Sequence, residues 1–284
     1  MNLIDSHCHV HFNAYKDDMD EVIKRTLEKG VFMITVGTQK DTSVKGLEVA
    51  DKYEGMWAIV GLHPNHTTEQ EFWDNDELPD GEQVTPKIKT RSERFDMDFY
   101  RDLTRHPKCI GIGETGLDYY RIPENVDRTE VMRVQEETVR AHFDLATEAQ
   151  LPVSIHCRDA YVQQAELIRE YTDAGKLARR GVIHCFTGTR EEAQLFLDLG
   201  FSISFSGIVT FSKALQEVAK TIPIDKLLVE TDSPYLTPTP DRGQRNEPWR
   251  VQYVAEKIAE LKGLTVEEVA KQTVINTKNI FGLS

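Results

Sequence analysis

The stretch "IDSHCHVHF", residues 4–12, places three histidines on alternate positions directly after a short apolar start. Alternate residues of a strand point to the same face, so His7 and His9 are predicted to lie side by side at the end of a first strand. Asp5 would share that face one step deeper. His11 would share it only if the strand continued into "HFNAY", which has the composition of a loop.

Eight short apolar runs rich in Val, Ile and Phe recur along the chain, and they predict buried strands. Because the runs are almost continuously apolar, both faces of each strand should be covered, as in a parallel sheet. The runs are "NLID" (2–5), "VFMITVG" (31–37), "MWAIVGL" (56–62), "CIGIGE" (109–114), "PVSIHC" (152–157), "GVIHCF" (181–186), "FSISFSGI" (201–208) and "LLVETD" (227–232).

Segments with helical spacing of apolar residues lie between and after these runs. Strands that alternate with helices predict an α/β fold, and a count of eight strands favours a TIM-type (β/α)8 barrel over an open sheet. We expect one domain over residues 1–284, with an extended, polar rim connection at about 65–98. The predicted helices are 18–30, 125–150, 189–200, 251–263 and 265–282.

Composition bounds the cellular setting and the class of partner. No apolar run reaches the length of a membrane helix, the N-terminus lacks the pattern of a secretory signal, and none of the four cysteines forms a CxxC pair. These features predict a cytoplasmic protein with reduced thiols, and we expect a monomer. The net charge of −13 disfavours a coat on nucleic acid, but it allows an enzyme that takes a phosphate-bearing substrate onto bound cations.

Polar residues follow the predicted strands where each strand ends, and these ends meet on one rim of a parallel barrel. Histidine and carboxylate side chains together are ligands for Zn, Mn and Mg. Six such groups suit two ions that share one carboxylate, an arrangement that suits phosphodiester hydrolysis. The six predicted metal ligands are His7, His9, Glu114, His156, His184 and Asp232.

Other titratable residues have structural interpretations beside the functional one. For His11, the two interpretations, a metal ligand and a structural residue, have about equal weight, with the structural one slightly favoured. Glu230 lies earlier in its strand. It is predicted to pair with another group in the core or to hydrogen-bond a metal ligand from its outer side. Asp232 could instead cap a helix in "TDSP", and Glu114 could form a salt bridge. Structural roles are predicted for three more histidines, His66, His106 and His142.

The sequence resembles the TatD family of metal-dependent hydrolases over nearly its whole length. The resemblance implies a TIM-type barrel, a two-metal site, and deoxyribonuclease activity, in part as an exonuclease on single strands. The motifs that carry it are "DSHCHV", "VGLHP", "GETGLDYY", "HCRDA", "HCFTG", "GFSISFSGIVTF", "LLVETDSPYLTP" and "RGQRNEP".

By position, the resemblance implies two divalent ions, each drawn from Mg, Mn, Zn, Co or Ni. His7 and His9 would bind the first ion, His156 and His184 the second, and Glu114 would bridge them. Asp232 would bind the first ion and activate water. The chain departs from the family pattern in the long 65–98 connection and at His11, where relatives often carry an aspartate or a similar polar group.

Four residues are predicted to contact substrate. Arg158 could hold a phosphate with its guanidinium fork, or it could pair with Asp159. His63 could donate a hydrogen bond to a phosphate oxygen. Arg242 and Arg245 could contact the ligand or make structural pairs with equal plausibility.

The leading hypothesis is a 3′–5′ exodeoxyribonuclease that acts on DNA ends, with Asp232 and Glu114 as catalytic residues and Asp232 accepting the proton of the attacking water. One alternative is a metal-dependent deacylase of aminoacyl-tRNA or of a small acyl substrate, because the same ions would polarise a carbonyl group. A second alternative is a non-catalytic partner protein in nucleic-acid processing.

Overall fold

The computed structural model describes residues 2–68, 70–72, 88–90 and 92–283. Ten strands are present in these residues. Eight are parallel members of one sheet, and β4 and β5 form a separate antiparallel pair. The strands are β1 Leu3–Cys8, β2 Val31–Val36, β3 Met56–Val60, β4 Gln70–Phe72, β5 Ile88–Thr90, β6 Cys109–Asp118, β7 Val153–Arg158, β8 Gly181–Ile183, β9 Ser202–Phe205 and β10 Leu227–Val229.

Nine helices are described, and most of them connect consecutive strands of the sheet. Local signals explain several boundaries: Asp127 accepts hydrogen bonds from the first turn of α4, Thr189 and Glu192 form a capping box at α6, and Gly263 ends α8 at a φ of 66°. The helices are α1 Met19–Glu28, α2 Lys40–Lys52, α3 Met97–Leu103, α4 Arg128–Ala149, α5 Tyr161–Asp173, α6 Arg190–Asp198, α7 Lys213–Thr221, α8 Val251–Lys262 and α9 Val266–Phe281.

The parallel sheet runs in the order β1-β2-β3-β6-β7-β8-β9-β10, so the first and last strands of the chain are its two edges. Hydrogen bonds beyond the end of β10 bring these edges together. The amide of Asp232 donates to the carbonyl of His7 at 2.9 Å, and the amide of His9 donates to the carbonyl of Ser233 at 2.7 Å. The sheet therefore forms a nearly closed barrel, which confirms the predicted (β/α)8 class.

All eight predicted strands and all five predicted helices are present, with shifts of a few residues at their ends. The helices α2, α3, α5 and α7 were not individually predicted. The predicted connection at 65–98 falls partly outside the described residues. Its described parts include the β4–β5 pair and a short 3-10 turn at Pro64–His66. The single domain, the monomer and the cytoplasmic location stay predictions.

The sequence analysis assumed strict alternation along β1, and this assumption is wrong. Leu3 and Cys8 pack in the same large apolar cluster, whereas strict alternation would place them on opposite faces. The pairing of β1 with β2 shifts register between Asp5 and Cys8, where the alternation changes. Asp5 consequently accepts hydrogen bonds from Thr231, from its amide at 2.9 Å and from its hydroxyl, and helps to close the barrel.

A second, smaller apolar cluster fills the end of the barrel where the strands begin. Above it lies a polar layer: Ser6 Oγ lies 3.2 Å from Ser204 Oγ, and Ser154 Oγ lies 3.4 Å from His7 Nδ1. The opposite end of the barrel is thus left to polar groups. The smaller cluster contains Ile4, Ile34, Val36, Ile59, Ile110, Val182, Leu228 and Phe281.

His142 has a structural role, as its sequence context predicted. The side chain is fully buried on α4, with Nδ1 2.7 Å from the carbonyl of Thr138 and Nε2 accepting a hydrogen bond from the amide of Leu62 at 2.9 Å. A carbonyl can only accept, so Nδ1 carries the proton. His142 therefore holds the backbone beside His63. Burial lowers the pKa of His142 to about 4, and the neutral form predominates near neutral pH.

We expect His142→Ala to lower the free energy of unfolding by about 2–4 kcal/mol at pH 7.5, because it removes a buried ring and leaves the amide of Leu62 without its acceptor. The folded-state pKa lies below the unfolded value of 6.5. The contribution of neutral His142 is therefore complete above pH 6.5 and is lost as the pH falls towards 4, by roughly 3 kcal/mol in total. Urea unfolding of both proteins between pH 4 and pH 8 measures this difference. A gap that stays constant with pH would contradict the assignment.

Candidate metal centre

The six predicted metal ligands converge at the end of the barrel where the strands finish, around the buried carboxylate of Glu114. Its Oε1 atom lies 2.7 Å from His184 Nε2 and 3.2 Å from His156 Nδ1. Its Oε2 atom lies 3.4 Å from His7 Nε2 and 3.7 Å from His9 Nε2. The two oxygens of one carboxylate thus face two different pairs of histidines.

Asp232 lies on the side of the cluster that His7 and His9 occupy. Its Oδ1 atom is 3.3 Å from His9 Nε2 and 3.7 Å from His7 Nε2. The residue has a φ of 56°, in the left-handed region, a conformation that costs energy for a residue with a side chain. Hydrogen bonds of its backbone to His7 and Tyr235 hold it there, so the rim fixes the direction of the carboxylate.

A close approach of two strands brings Glu114 and His156 together. Gly116 on β6 has a φ of 147°, and a Cβ atom at this position would lie 1.8 Å from the carbonyl oxygen of His156 on β7. Any side chain at Gly116 would therefore push the strands apart. The glycine in "GETG" is needed for this approach.

Hydrogen bonds outside the cluster assign the proton of several imidazoles. His9 Nδ1 lies 2.7 Å from the carbonyl of Val36, which can only accept, so Nδ1 carries the proton and Nε2 keeps its lone pair. His184 Nδ1 makes no hydrogen bond of good geometry in the described residues, but it faces Glu230 Oε1 at 3.3 Å, and this carboxylate favours a proton on Nδ1. Such outer partners orient histidine ligands in metal sites.

His156 is oriented in the opposite sense around its ring. Its Nε2 atom lies 3.0 Å from Asp118 Oδ2, so a proton on Nε2 leaves the lone pair of Nδ1 directed at Glu114. Asp118 was not singled out in the sequence analysis. The available signal was its position four residues after Glu114 in "GETGLDYY", near the end of the same strand.

His63 differs from the other histidines of the cluster. Its Nδ1 atom accepts a hydrogen bond from the amide of Asn65 at 3.1 Å, so the proton of the neutral ring lies on Nε2. Nε2 faces Glu114 Oε1 at 3.3 Å. The atoms of His63, Glu114 and His156 are close enough to surround an ion, but this tautomer places a hydrogen-bond donor, and not a lone pair, at Nε2 of His63.

Two buried carboxylates of the cluster, Glu114 and Asp118, are held in the ionised form. Burial would raise the pKa of Glu114, but electrostatic interactions with His184 and His63 and the bond from His156 outweigh it, and the pKa is well below its usual value. At Asp118, burial would likewise raise the pKa, but the hydrogen bond from His156 outweighs it and lowers the pKa to about 2. Glu230 accepts a hydrogen bond from the amide of Cys185 at 2.6 Å. A dense group of buried carboxylates and imidazoles results.

The predicted substrate contacts lie in different settings. His63 lies inside the cluster. Arg158 ends β7, and its guanidinium lies over the ring of Tyr120, with no ion pair to Asp159 in the described part of the chain. Arg242 lies over the ring of Phe211. Arg245 makes a bidentate ion pair with Asp18 at 2.6 and 2.8 Å. This is the structural pairing that its sequence context left open.

The remaining histidines lie outside the cluster. His11 is buried, with Nδ1 2.6 Å from Thr35 Oγ1 and its ring packed against Gly46 of α2. His106 Nδ1 accepts a hydrogen bond from the amide of Lys108 at 3.2 Å. His66 lies in the 3-10 turn after β3. In the described residues, none of the three joins a group that could surround an ion.

Comparison with known families shows that residues 4–282 match the family described as "TatD related DNase". The chain belongs to the TatD-related DNase family. It is therefore an enzyme of a metal-dependent hydrolase family. Among the residues that the structure describes, no helix is both long enough and apolar enough to cross a membrane.

Relatives of this TatD-related DNase match it from end to end. It is 38% identical to the "Uncharacterized metal-dependent hydrolase YabD" of Bacillus subtilis (strain 168), over 99% of this chain and 100% of the relative. It is 32% identical to the "3'-5' ssDNA/RNA exonuclease TatD" of Citrobacter koseri, over 96% of each chain. The crystal structure of the TatD homolog YJJV of Escherichia coli K12 superposes with a TM-score of 0.82 at 25% identity, covering 99% of this chain and 98% of that one.

We expect Asp118→Asn to weaken binding of a divalent ion by the TatD-family site by about 10- to 100-fold. An amide NH2 facing His156 Nε2 favours the tautomer with its proton on Nδ1, which removes the lone pair directed at Glu114. Calorimetric titration with Mn²⁺ measures the effect. Asp159→Asn is the matched control, because Asp159 is an exposed aspartate of the same rim. Equal affinities for wild type and Asp118→Asn would show that Asp118 does not set the tautomer.

Proposed function

We propose that this TatD-related DNase is a 3′–5′ exodeoxyribonuclease that hydrolyses phosphodiester bonds at the ends of DNA, using two divalent cations. The observation that carries the proposal is the orientation of Glu114. One oxygen faces His156 and His184, and the other faces His7 and His9. A carboxylate in this position can be shared by two ions, and paired ions suit displacement at a phosphodiester.

The donor set fits divalent cations of the type that imidazole and carboxylate groups bind together, namely Mg, Mn, Zn, Co or Ni. His7, His9, Asp232 and Glu114 Oε2 would hold the first. His156 Nδ1, His184 Nε2 and Glu114 Oε1 would hold the second. The outer hydrogen bonds of His9 and His156, and the Glu230 carboxylate that faces His184 Nδ1, favour lone pairs directed into the cluster, which supports this assignment.

Bound cations would lower the pKa of a water molecule and stabilise the charge of the transferring phosphoryl group. Among the protein groups, Asp232 is placed to accept the proton of that water. Burial would raise the pKa of Asp232, but the His9 bond and the charges of His184 and His7 lower it, so the carboxylate is ready as a base. Its side chain is 14% exposed, compared with 4% for Glu114, so it has the better access to water.

His63 would act as a hydrogen-bond donor to a phosphate oxygen. The bond from the amide of Asn65 fixes its proton on Nε2, and this atom faces the cluster. A donor positioned before the reaction stabilises developing negative charge without reorganisation. His63 would thus complement the positive charge of the cations.

The choice of DNA and the 3′–5′ direction draws support from the relatives. The Citrobacter koseri relative is described as a 3′–5′ exonuclease of single-stranded DNA and RNA. We propose the same direction for this chain, with single-stranded DNA ends as substrate. The net charge of −13 favours such a role over general binding to duplex DNA.

We expect Asp232→Asn to lower kcat for release of nucleotides from a 5′-labelled single-stranded oligonucleotide by about 100-fold or more, because the general base is lost. Gel analysis of the products also gives the direction of digestion. Asp159→Asn is the control, since Asp159 lies on the same rim with a φ of 54°, close to that of Asp232.

An Asp232→Asn protein that binds metal and digests the oligonucleotide at the wild-type rate would remove Asp232 from the reaction. A panel of aminoacyl-tRNA and small acyl esters separates the deacylase from the nuclease. Turnover of an acyl substrate without release of nucleotides would overturn the proposal. Binding of an oligonucleotide without turnover of any substrate, under each of the five metals, would favour the non-catalytic alternative.

We expect His63→Ala to lower kcat by about 100-fold, whereas His63→Gln keeps an N–H donor and retains a larger share of the activity. Both variants should bind the same number of ions as wild type, because the tautomer excludes His63 from the ligands. Elemental analysis of the dialysed proteins after metal loading measures this number. Loss of one ion in both variants would make His63 a ligand instead.

A further inference from the structure

Two exposed aromatic side chains stand out on the rim. Among the described residues, Tyr120 and Phe211 are the only aromatic residues that are exposed, at 60% and 40%. Each carries an arginine on one face: the Arg158 guanidinium lies 3.9 Å from the ring centre of Tyr120, and that of Arg242 lies 3.7 Å from the ring centre of Phe211. We call these the Tyr120 pair and the Phe211 pair.

The charge environment of these two arginines also bears on their role. The chain contains 47 acidic and 34 basic residues, so carboxylates are abundant. In the described part of the chain, the guanidinium groups of Arg158 and Arg242 nevertheless make neither an ion pair nor a hydrogen bond. Their N–H groups are left for solvent or for a ligand. Arginines that do pair with carboxylates are Arg25, Arg101, Arg105, Arg133, Arg140, Arg245 and Arg250.

Both pairs lie on the rim that holds the metal centre. Tyr120 follows β6 and Arg158 ends β7, whereas Phe211 follows β9 and Arg242 follows β10. Strand β8, which supplies His184, lies between the two pairs in the order of the sheet. A linear polymer that contacted both pairs would therefore run past the metal centre.

The Tyr120 pair is also connected directly to the cluster. The amide of Tyr120 donates to Asp118 Oδ1 at 3.1 Å, and the other oxygen of Asp118 orients His156. The loops of the Phe211 pair are held to each other by a hydrogen bond from the amide of Thr239 to Thr210 Oγ1 at 2.9 Å. The backbone positions of both pairs are thus defined.

Stacking on a ring fixes the plane of a guanidinium and leaves its N–H edge free, and that edge matches two oxygens of a phosphate. The second face of an exposed ring can stack on a nucleobase of any type. An arginine–aromatic pair therefore offers contacts for both parts of an unpaired nucleotide. A duplex, whose bases are covered, could use only the arginine.

We propose that the Tyr120 pair and the Phe211 pair are two binding sites for single-stranded nucleic acid, one on each side of the metal centre. Arg158 and Arg242 contact backbone phosphates, and Tyr120 and Phe211 stack on bases. This inference rests on the proposed function for the class of substrate. It adds where the strand binds and why unpaired nucleotides are preferred.

The arginines are tested by equilibrium binding that needs no catalysis. Fluorescence anisotropy of a labelled single-stranded oligonucleotide is measured at NaCl concentrations from about 20 to about 200 mM. A chelator keeps the protein free of metal so that the oligonucleotide is not hydrolysed. Arg158→Gln and Arg242→Gln should each weaken binding and reduce the slope of log affinity against log salt by about 0.7, and the double variant by about 1.4. Arg169→Gln is the control, because Arg169 is exposed on α5 and stacks on no ring in the described residues.

The aromatic residues are tested with Tyr120→Leu and Phe211→Leu, which keep an apolar side chain but remove the ring. Each should weaken binding of the oligonucleotide by about tenfold without changing the salt slope, since stacking involves no counterion release. An oligonucleotide of abasic sites should bind to wild type and to both variants with similar affinity. A tenfold effect that persists on abasic sites would exclude base stacking.

Hydrolysis separates this inference from the proposed function. With Mn²⁺, the arginine variants should raise KM for the oligonucleotide by a larger factor than they lower kcat/KM for bis(4-nitrophenyl) phosphate, because the small diester cannot extend from the metal centre to both pairs. Wild-type affinity and wild-type salt slope in the double arginine variant would overturn the inference while leaving the nuclease assignment intact. Absence of hydrolysis in wild type, with the binding differences present, would overturn only the nuclease assignment.

Discussion

The buried carboxylate of Glu114 is the constraint on which the rest of the site depends. A carboxylate removed from water needs compensating charge or hydrogen bonds, and here several imidazoles supply them. Those imidazoles come from different strands, so the compensation is available only if the barrel brings the ends of these strands together. Fold and site are therefore mutually dependent: the barrel positions the histidines, and the histidines make a buried Glu114 tolerable.

A second layer of partners gives the histidines different chemical characters. The carbonyl of Val36 and the carboxylate of Asp118 each accept a hydrogen bond from the outer nitrogen of a ring, and Glu230 faces the outer nitrogen of His184 at 3.3 Å. These neighbours direct a lone pair inward. The amide of Asn65 does the reverse to His63 and directs a proton inward. One residue type thus directs lone pairs into the cluster at some positions and a proton at another, and the choice depends on whether its outer neighbour accepts or donates a hydrogen bond.

Much of the fold was predictable because buried strands are short and apolar, and because polar residues at their ends have to meet on one rim. The grouping of His7, His9, Glu114, His156, His184 and Asp232 followed from those two facts. The face of Asp5 did not follow, because a register shift within β1 depends on its pairing with β2 and has no local signal.

The hydrogen-bond partners on the outer side of the histidines could not be predicted from the sequence either, for a related reason. Asp118 and Asn65 act through the exact direction of a side chain or an amide, which only the folded backbone determines. The pairing of Arg245 with Asp18 joins residues more than 220 positions apart, and many other carboxylates were available to it. The sequence could state two alternatives for this arginine, but tertiary contacts had to choose between them.

The seam between the first and last strands has a consequence for biogenesis. Asp5 bonds to Thr231, and His7 and His9 bond to the backbone of Asp232 and Ser233, so the centre is assembled from the two extremes of the chain. A nascent polypeptide that has not yet emerged past Asp232 lacks both the seam and one carboxylate of the centre. The group of side chains around Glu114 is therefore complete only in a chain that extends through this seam.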